Sequence, residues 1–166
     1  MDEHLLHAAA TLGEALKAHG LTCATAESCT GGMVGAALTA IPGSSAWFAG
    51  GVIAYANSAK QDLLGVSGEA LATYGAVSHE VVRQMALGAC AALNTDLAVA
   101  LSGVAGPDGG SPEKPVGTVF IGLAFQGTAQ SFLYRFDGDR AEVRAAAALE
   151  AVRCMIRAFD PERMPA

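Results

Sequence analysis

Positive charge is scarce in this chain of 166 residues: ten Lys and Arg stand against sixteen Asp and Glu, a formal net charge of −6. No block of Lys or Arg appears, so the electrostatic footprint of a nucleic-acid or anionic-membrane binder is missing, although a local basic pocket stays open. Cysteine is sparse as well. Its four copies, Cys23, Cys29, Cys90 and Cys154, form no CxxC pair and have no His at metal-ligand spacing. That pattern indicates neither a zinc site nor a disulfide framework, and reduced thiols fit the cytoplasm. No apolar run approaches the roughly 18 residues that span a bilayer. The first residues, MDEHLLHAAATLGEALKAHG, begin with acids where a signal peptide would begin with bases. A soluble cytoplasmic protein is expected, with no metal or other cofactor and no nucleic-acid or membrane partner.

Apolar residues are plentiful: they make up 52% of the chain, charged ones 16%, and glycine contributes 20 positions. A chain of this length and composition can bury its own core, so one domain over residues 1–166 is expected. The apolar spacing predicts a helix from Glu3 to His19 closed by Gly20, then a short strand-prone run from Leu21 to Ala26. After TAESCTGG (Thr25 to Gly32), Met33 to Ile41 reads as a helix ended before Pro42. Gly50 to Tyr55 reads as a strand, Asn57 to Leu64 as a short helix capped by Asn57, and His79 to Leu93 as a longer helix capped by Ser78. Leu97 to Leu101 is apolar throughout and belongs in the centre of a sheet. Ser102 to Pro115, rich in glycine and proline, is a long loop. Val116 to Phe125 and Gln130 to Phe136 form a hairpin around Gly127, and Asp139 caps a final helix reaching about Phe159. The expectation is an α/β fold with a mixed parallel and antiparallel sheet flanked by helices.

Three stretches carry possible chemistry. TAESCTGG sits where a strand meets a helix, a place where α/β proteins commonly hold ligands. A hydroxyl there, from Ser28, could attack a carbonyl while first-turn amides near Thr30, Gly31 and Gly32 stabilise the oxyanion. Equally, Ser28 or Thr30 is simply an N-cap. In AYANSAK (Ala54 to Lys60), Lys60 falls at N3, where the helix dipole disfavours a cation. An exposed lysine tolerates that position; a partly buried one loses its proton more readily and can act as a general base. Tyr55 either positions that amine or only packs. The third stretch, SGVAGPDGG, could turn the amides of Gly103 and Gly106 inward as an anion nest, with Ser102 and Lys114 as further donors, or could be an ordinary connection. It meets neither the Walker nor the Rossmann pattern. Arg140 contacts phosphate or pairs with Asp137 or Asp139. Cys29 ranks below Ser28 because no His partners it, and Trp47 with Phe48 either packs on the core or covers a bound base.

Taken in order, TAESCTGG, GSSAWFAGGVIAYANSAK, YGAVSHEVV and SGVAGPDGGSPEKPVGTVFIGLA closely resemble the CinA carboxy-terminal domain family, from about Leu12 to Glu150. The resemblance implies hydrolysis of nicotinamide mononucleotide to nicotinic acid mononucleotide and ammonia, with a serine and a lysine as catalytic pair. Those roles fall on Ser28 and Lys60, with Tyr55 inside the same matching segment. Thr30 to Gly32 would then serve the oxyanion, and Ser102, Gly103, Gly106 and Arg140 the rest of a small nucleotide substrate. The resemblance is broken where relatives often show TYSN: Ala54 and Ala56 stand here without the hydroxyls. Larger relatives carry an amino-terminal domain associated with nucleotide pyrophosphatase activity, which a chain of this length is too short to hold, and that activity is not carried over. An alternative from another class is a nucleotide-binding module, associated with competence or damage responses, that binds in the same pocket without turnover. The alanine-rich helices also lead to an expected homo-oligomer.

Overall fold

The computed structural model describes residues 1–160 and 162. Its strands are β1 (Cys23–Glu27), β2 (Phe48–Ile53), β3 (Leu97–Gly103), β4 (Thr118–Phe125) and β5 (Thr128–Arg135). They form one sheet in the order β2-β1-β3-β4-β5, parallel among β2, β1 and β3 and antiparallel for the β3–β4 and β4–β5 pairs. The mixed sheet expected from the hairpin is therefore present. Its turn is the two residues Gln126 and Gly127, both with positive φ (52° and 81°), the left-handed backbone that tight hairpins require.

Helices α1 (Glu3–His19), α2 (Met33–Thr39) and α6 (Arg140–Arg157) cover one face of the sheet. Helices α3 (Asn57–Leu64), α4 (Gly68–Tyr74) and α5 (His79–Leu93) cover the other. Strand alternation divides the core accordingly. Leu97, Val99 and Leu101 of β3 face the first layer, while Ala98 and Ala100 face the second. The small residues on the second face let α5 approach closely: a Cβ on Gly122 would lie 2.2 Å from the Val82 carbonyl oxygen. Between α3 and α5 the fit is equally tight, because a Cβ on Gly88 would lie 1.9 Å from the Leu64 carbonyl oxygen.

Several helix ends follow their sequence signals. Gly20 closes α1 in the left-handed conformation, Ser78 caps α5, and Asp139 forms a reciprocal capping box with Glu142 at the start of α6. Three local expectations are corrected. Strand β2 begins two residues earlier than Gly50, because Cys23 N–H bonds the Trp47 carbonyl and draws the preceding segment into the sheet. Helix α4 has no counterpart in the sequence reading; Ser67 caps it within a stretch too short for a periodicity signal. The N-cap of α3 is Ala56 rather than Asn57, so Lys60 occupies N4, and its N–H bonds the Ala56 carbonyl. Trp47 is 1% exposed and meets Gly13 of α1, which makes it a core residue and not a lid. No helix among the described residues is long and apolar enough to cross a membrane.

Candidate active site

Parallel strands β2, β1 and β3 end at the same edge of the sheet, and the segments leaving them enclose a cleft of about 210 Å³. Ser28, Cys29, Tyr55, Asn57, Lys60 and Ser102 are among its lining residues. Ser28 follows β1 directly, and its N–H donates to the Leu101 carbonyl, which ties the turn to β3. Glu27 closes β1 and Ser28 leaves it, the Glu27 carboxylate meeting amides at the start of α2 and the Ser28 hydroxyl meeting Lys60 of α3. The hydroxyl is thereby directed toward the α3 side of the sheet and the carboxylate toward α2.

Lys60 is 1% exposed. Its Nζ lies 3.1 Å from Ser28 Oγ, 2.8 Å from the Ala54 carbonyl oxygen and 3.1 Å from that of Tyr55. It makes no salt bridge among the described residues. Burial therefore favours the uncharged amine, pushing the Lys60 pKa below the ordinary lysine value. A neutral amine has two hydrogens and one lone pair. With the two hydrogens on the two carbonyls, the lone pair is left for the serine hydroxyl. Cys29 is also buried, and that burial raises its thiol pKa to about 11. It remains protonated near neutrality and is a poor nucleophile.

Of the amides of Thr30, Gly31 and Gly32 expected to face an oxyanion, two are already engaged. Gly31 N–H donates to the Ser28 carbonyl, and Gly32 N–H to Glu27 Oε2. Glu27 also accepts the N–H groups of Val34 and Gly35, so the start of α2 is closed to a ligand. Thr30 donates its hydroxyl to the same carboxylate. The N–H groups left without a backbone or carboxylate acceptor among the described residues are those of Cys29 and Thr30. Arg144 holds the carbonyls of Cys29 and Thr30 at 3.0 and 3.1 Å. Because the peptide is trans, the N–H of Thr30 points away from Arg144.

The remaining candidates are placed around this pair. Tyr55 is 63% exposed; its backbone carbonyl, not its ring, meets Lys60, while its hydroxyl accepts a bond from Arg140 Nη2 at 3.3 Å. Arg140 Nη1 donates to the Gly106 carbonyl at 2.7 Å, and no acid among the described residues pairs with it, so the expected alternative with Asp137 or Asp139 is not realised. Ser102 is buried at the cleft floor, and Gly103 lines the wall beside it. The carbonyl of Gly106, rather than its amide, is engaged at the site. Lys114 reaches away to the Tyr74 carbonyl. A second pocket, about 660 Å³, shares Ala105 and Arg140 with the cleft and is lined also by Pro107, Val116 and Arg144.

A family model described as the CinA C-terminal domain matches residues 6–159. This chain belongs to that family. A "Nicotinamide-nucleotide amidohydrolase PncC" of Enterobacter agglomerans is 50% identical over 161 residues, covering 96% of this chain and 98% of its own. A protein of the same name from Escherichia coli K12 is 48% identical over 159 residues, covering 95% and 96%. Among solved structures, the competence/damage inducible protein CihA from Agrobacterium tumefaciens superposes with a TM-score of 0.92 at 41% identity, over 96% of this chain and 98% of that one. The neighbours share the CinA fold along nearly their whole lengths.

Sequence reasoning missed four contributors. Glu27 is the one charged residue of β1, a signal visible in CATAE. Arg144 lies four residues after Arg140, on the same face of α6. Asn57, freed from capping, lines the cleft. The two carbonyls that hold Lys60 have no side-chain signature at all.

Proposed function

We propose that the chain is an amidohydrolase that converts nicotinamide mononucleotide to nicotinic acid mononucleotide and ammonia. The carrying observation is a buried lysine amine 3.1 Å from a serine hydroxyl, with two carbonyls as its other partners. Relatives with nearly the same length bear the nicotinamide-nucleotide amidohydrolase name, which supports the substrate class.

In this reading Ser28 Oγ forms a bond to the carboxamide carbon while its proton passes to the neutral Lys60 amine. The N–H groups of Cys29 and Thr30 receive the oxyanion. Lys60 then returns the proton to the amide nitrogen, the C–N bond breaks, and ammonia leaves a Ser28 acyl ester. Water attacks that ester with Lys60 taking its proton, and the proton goes back to Ser28 Oγ as the acid departs. Arg140, with the neighbouring pocket along α6, accommodates the ribose phosphate, and Ser102 with Asn57 offers hydrogen bonds to the pyridine end. Tyr55 acts by its carbonyl on Lys60 and by its hydroxyl on Arg140. The substrate is a soluble cytoplasmic metabolite on this reading.

The test is ammonia release from nicotinamide mononucleotide by purified wild type, Ser28→Ala, Lys60→Ala and Cys29→Ala. Loss in the first two variants and retention in the third supports the pair. Equal release from Ser28→Ala and wild type contradicts it, and tight binding without release by wild type favours a regulatory module.

A further inference from the structure

Glu27 is 1% exposed and forms no salt bridge among the described residues, an unusual position for a carboxylate. Four donors compensate it. Oε2 accepts from the Thr30 hydroxyl at 2.7 Å, Gly32 N–H at 3.0 Å and Val34 N–H at 3.1 Å; Oε1 accepts from Gly35 N–H at 2.8 Å. Every partner is a donor, and both carboxylate oxygens act as acceptors.

An ordinary N-cap side chain sits immediately before its helix and accepts one of the first amides. Here the cap side chain comes from the end of the preceding strand, five to eight residues before the amides it accepts. Residues 28–31 are consequently looped out between the carboxylate and the helix it caps. The left-handed backbone at Gly31 (φ 60°) and Gly32 (φ 99°) allows the chain to return toward Glu27. Within the looped segment Ser28 is placed opposite Lys60, and the amides of Cys29 and Thr30 are left without a backbone or carboxylate acceptor among the described residues.

From this arrangement we infer that Glu27 is a positioning residue for the reaction: its carboxylate takes the amides of the α2 terminus so that the looped-out turn presents Ser28 and the Cys29 and Thr30 amides to the tetrahedral intermediate. It touches neither substrate nor Lys60 and acts through the turn. The inference rests on the Ser28–Lys60 reading and assigns the control of its oxyanion donors. A neutral amide in place of the carboxylate sets an NH₂ group among N–H donors, and the turn must rearrange to separate them.

The experiment compares wild type, Glu27→Gln and Thr30→Val for ammonia release, with Ser28→Ala as control and activities normalised to folded protein by circular dichroism and thermal melting. Oxyanion donors act mainly in the transition state, so kcat should fall about 100-fold in Glu27→Gln with KM within about threefold. Its pH–rate midpoint should stay in place, because Lys60 keeps its burial and the carbonyls of Ala54 and Tyr55, which lie outside the turn. Thr30→Val removes one donor to Glu27 without changing shape much and should lower kcat in the same direction by about tenfold. In Glu27→Gln it should add almost nothing, since both act on one turn. A kcat per folded molecule within threefold of wild type in both single variants would overturn the role of Glu27. So would KM rising in proportion as kcat falls. If Glu27→Gln does not fold, Thr30→Val alone decides by the same criteria. Loss of release in Ser28→Ala together with unchanged Glu27→Gln and Thr30→Val rejects the positioning role only; release retained by Ser28→Ala rejects the underlying nucleophile and the inference with it.

Discussion

Lys60 Nζ meets Ser28 Oγ at 3.1 Å although 32 residues separate them in the chain. Parallel pairing of β1 with β2 accounts for the encounter. The register matches Glu27 to Ile53, and the Glu27 carbonyl accepts the Ala54 N–H at 2.8 Å, so the segments that follow both strands leave the sheet side by side. One supplies the hydroxyl and the other, three residues after Ala54, starts the helix that carries the amine.

Activity should follow the protonation of Lys60. The base is functional only when neutral, and burial lowers its pKa, so log kcat should climb by about one unit per pH unit on the acid limb and level off below the ordinary lysine range. Steady-state rates from pH 5 to pH 10 measure this. Lys60→Arg should be inactive across the whole range, because a guanidinium stays charged.

Stability should carry the same signature. The unfolded chain binds a proton at Lys60 up to about pH 10.4, whereas the folded chain releases it at a lower pH. Between those two values the unfolded state holds more protons, so unfolding free energy rises with pH, by at most about 1.4 kcal/mol per unit from this group. Below the folded pKa both states are protonated and the slope disappears. Urea midpoints of wild type and Lys60→Met from pH 6 to pH 10.5 should differ by this contribution, with the steeper rise in wild type.

Gly88→Ala tests how packing holds the base in place. The added Cβ would fall 1.9 Å from the carbonyl oxygen of Leu64, the last residue of α3. Either α5 or α3 must move, at a cost of about 1–3 kcal/mol. The melting temperature should drop by several degrees. The kcat of the folded variant should also fall, since α3 carries Lys60.

Ala56→Ser should act in the opposite direction on stability. Ala56 is the N-cap of α3, has the extended backbone that such caps adopt (φ −77°, ψ 152°), and offers no side-chain acceptor. A serine there accepts a first-turn amide and should stabilise by about 1 kcal/mol, read as a higher urea midpoint with unchanged m-value.

Most of the architecture was legible in the sequence because its signals are local. Gly20, Ser78 and Asp139 end or begin their helices where turn chemistry places them, and the unbroken apolar run of β3 marks the centre of the sheet. The site was legible only as residue types. Ser28 and Lys60 stand out in their segments, but their approach depends on the β1–β2 register, which no short stretch encodes. The sequence reading assigned the oxyanion to amides near Thr30, Gly31 and Gly32; that Gly31 and Gly32 are already engaged was not legible, because no local signal shows Glu27 reaching around the turn to α2. Likewise Asn57 reads as a cap until the backbone shows that the helix starts one residue earlier.

The central claim, an uncharged amine facing a serine hydroxyl, is open to direct measurement. The chain has three lysines, Lys17, Lys60 and Lys114, so ¹³C-lysine labelling gives three ε-carbon resonances, and Lys60→Ala identifies one of them. Titrated by NMR, the Lys60 resonance should have its midpoint clearly below the ordinary lysine value of about 10.4. A midpoint at or above that value would mean a charged ammonium at working pH and would contradict the account.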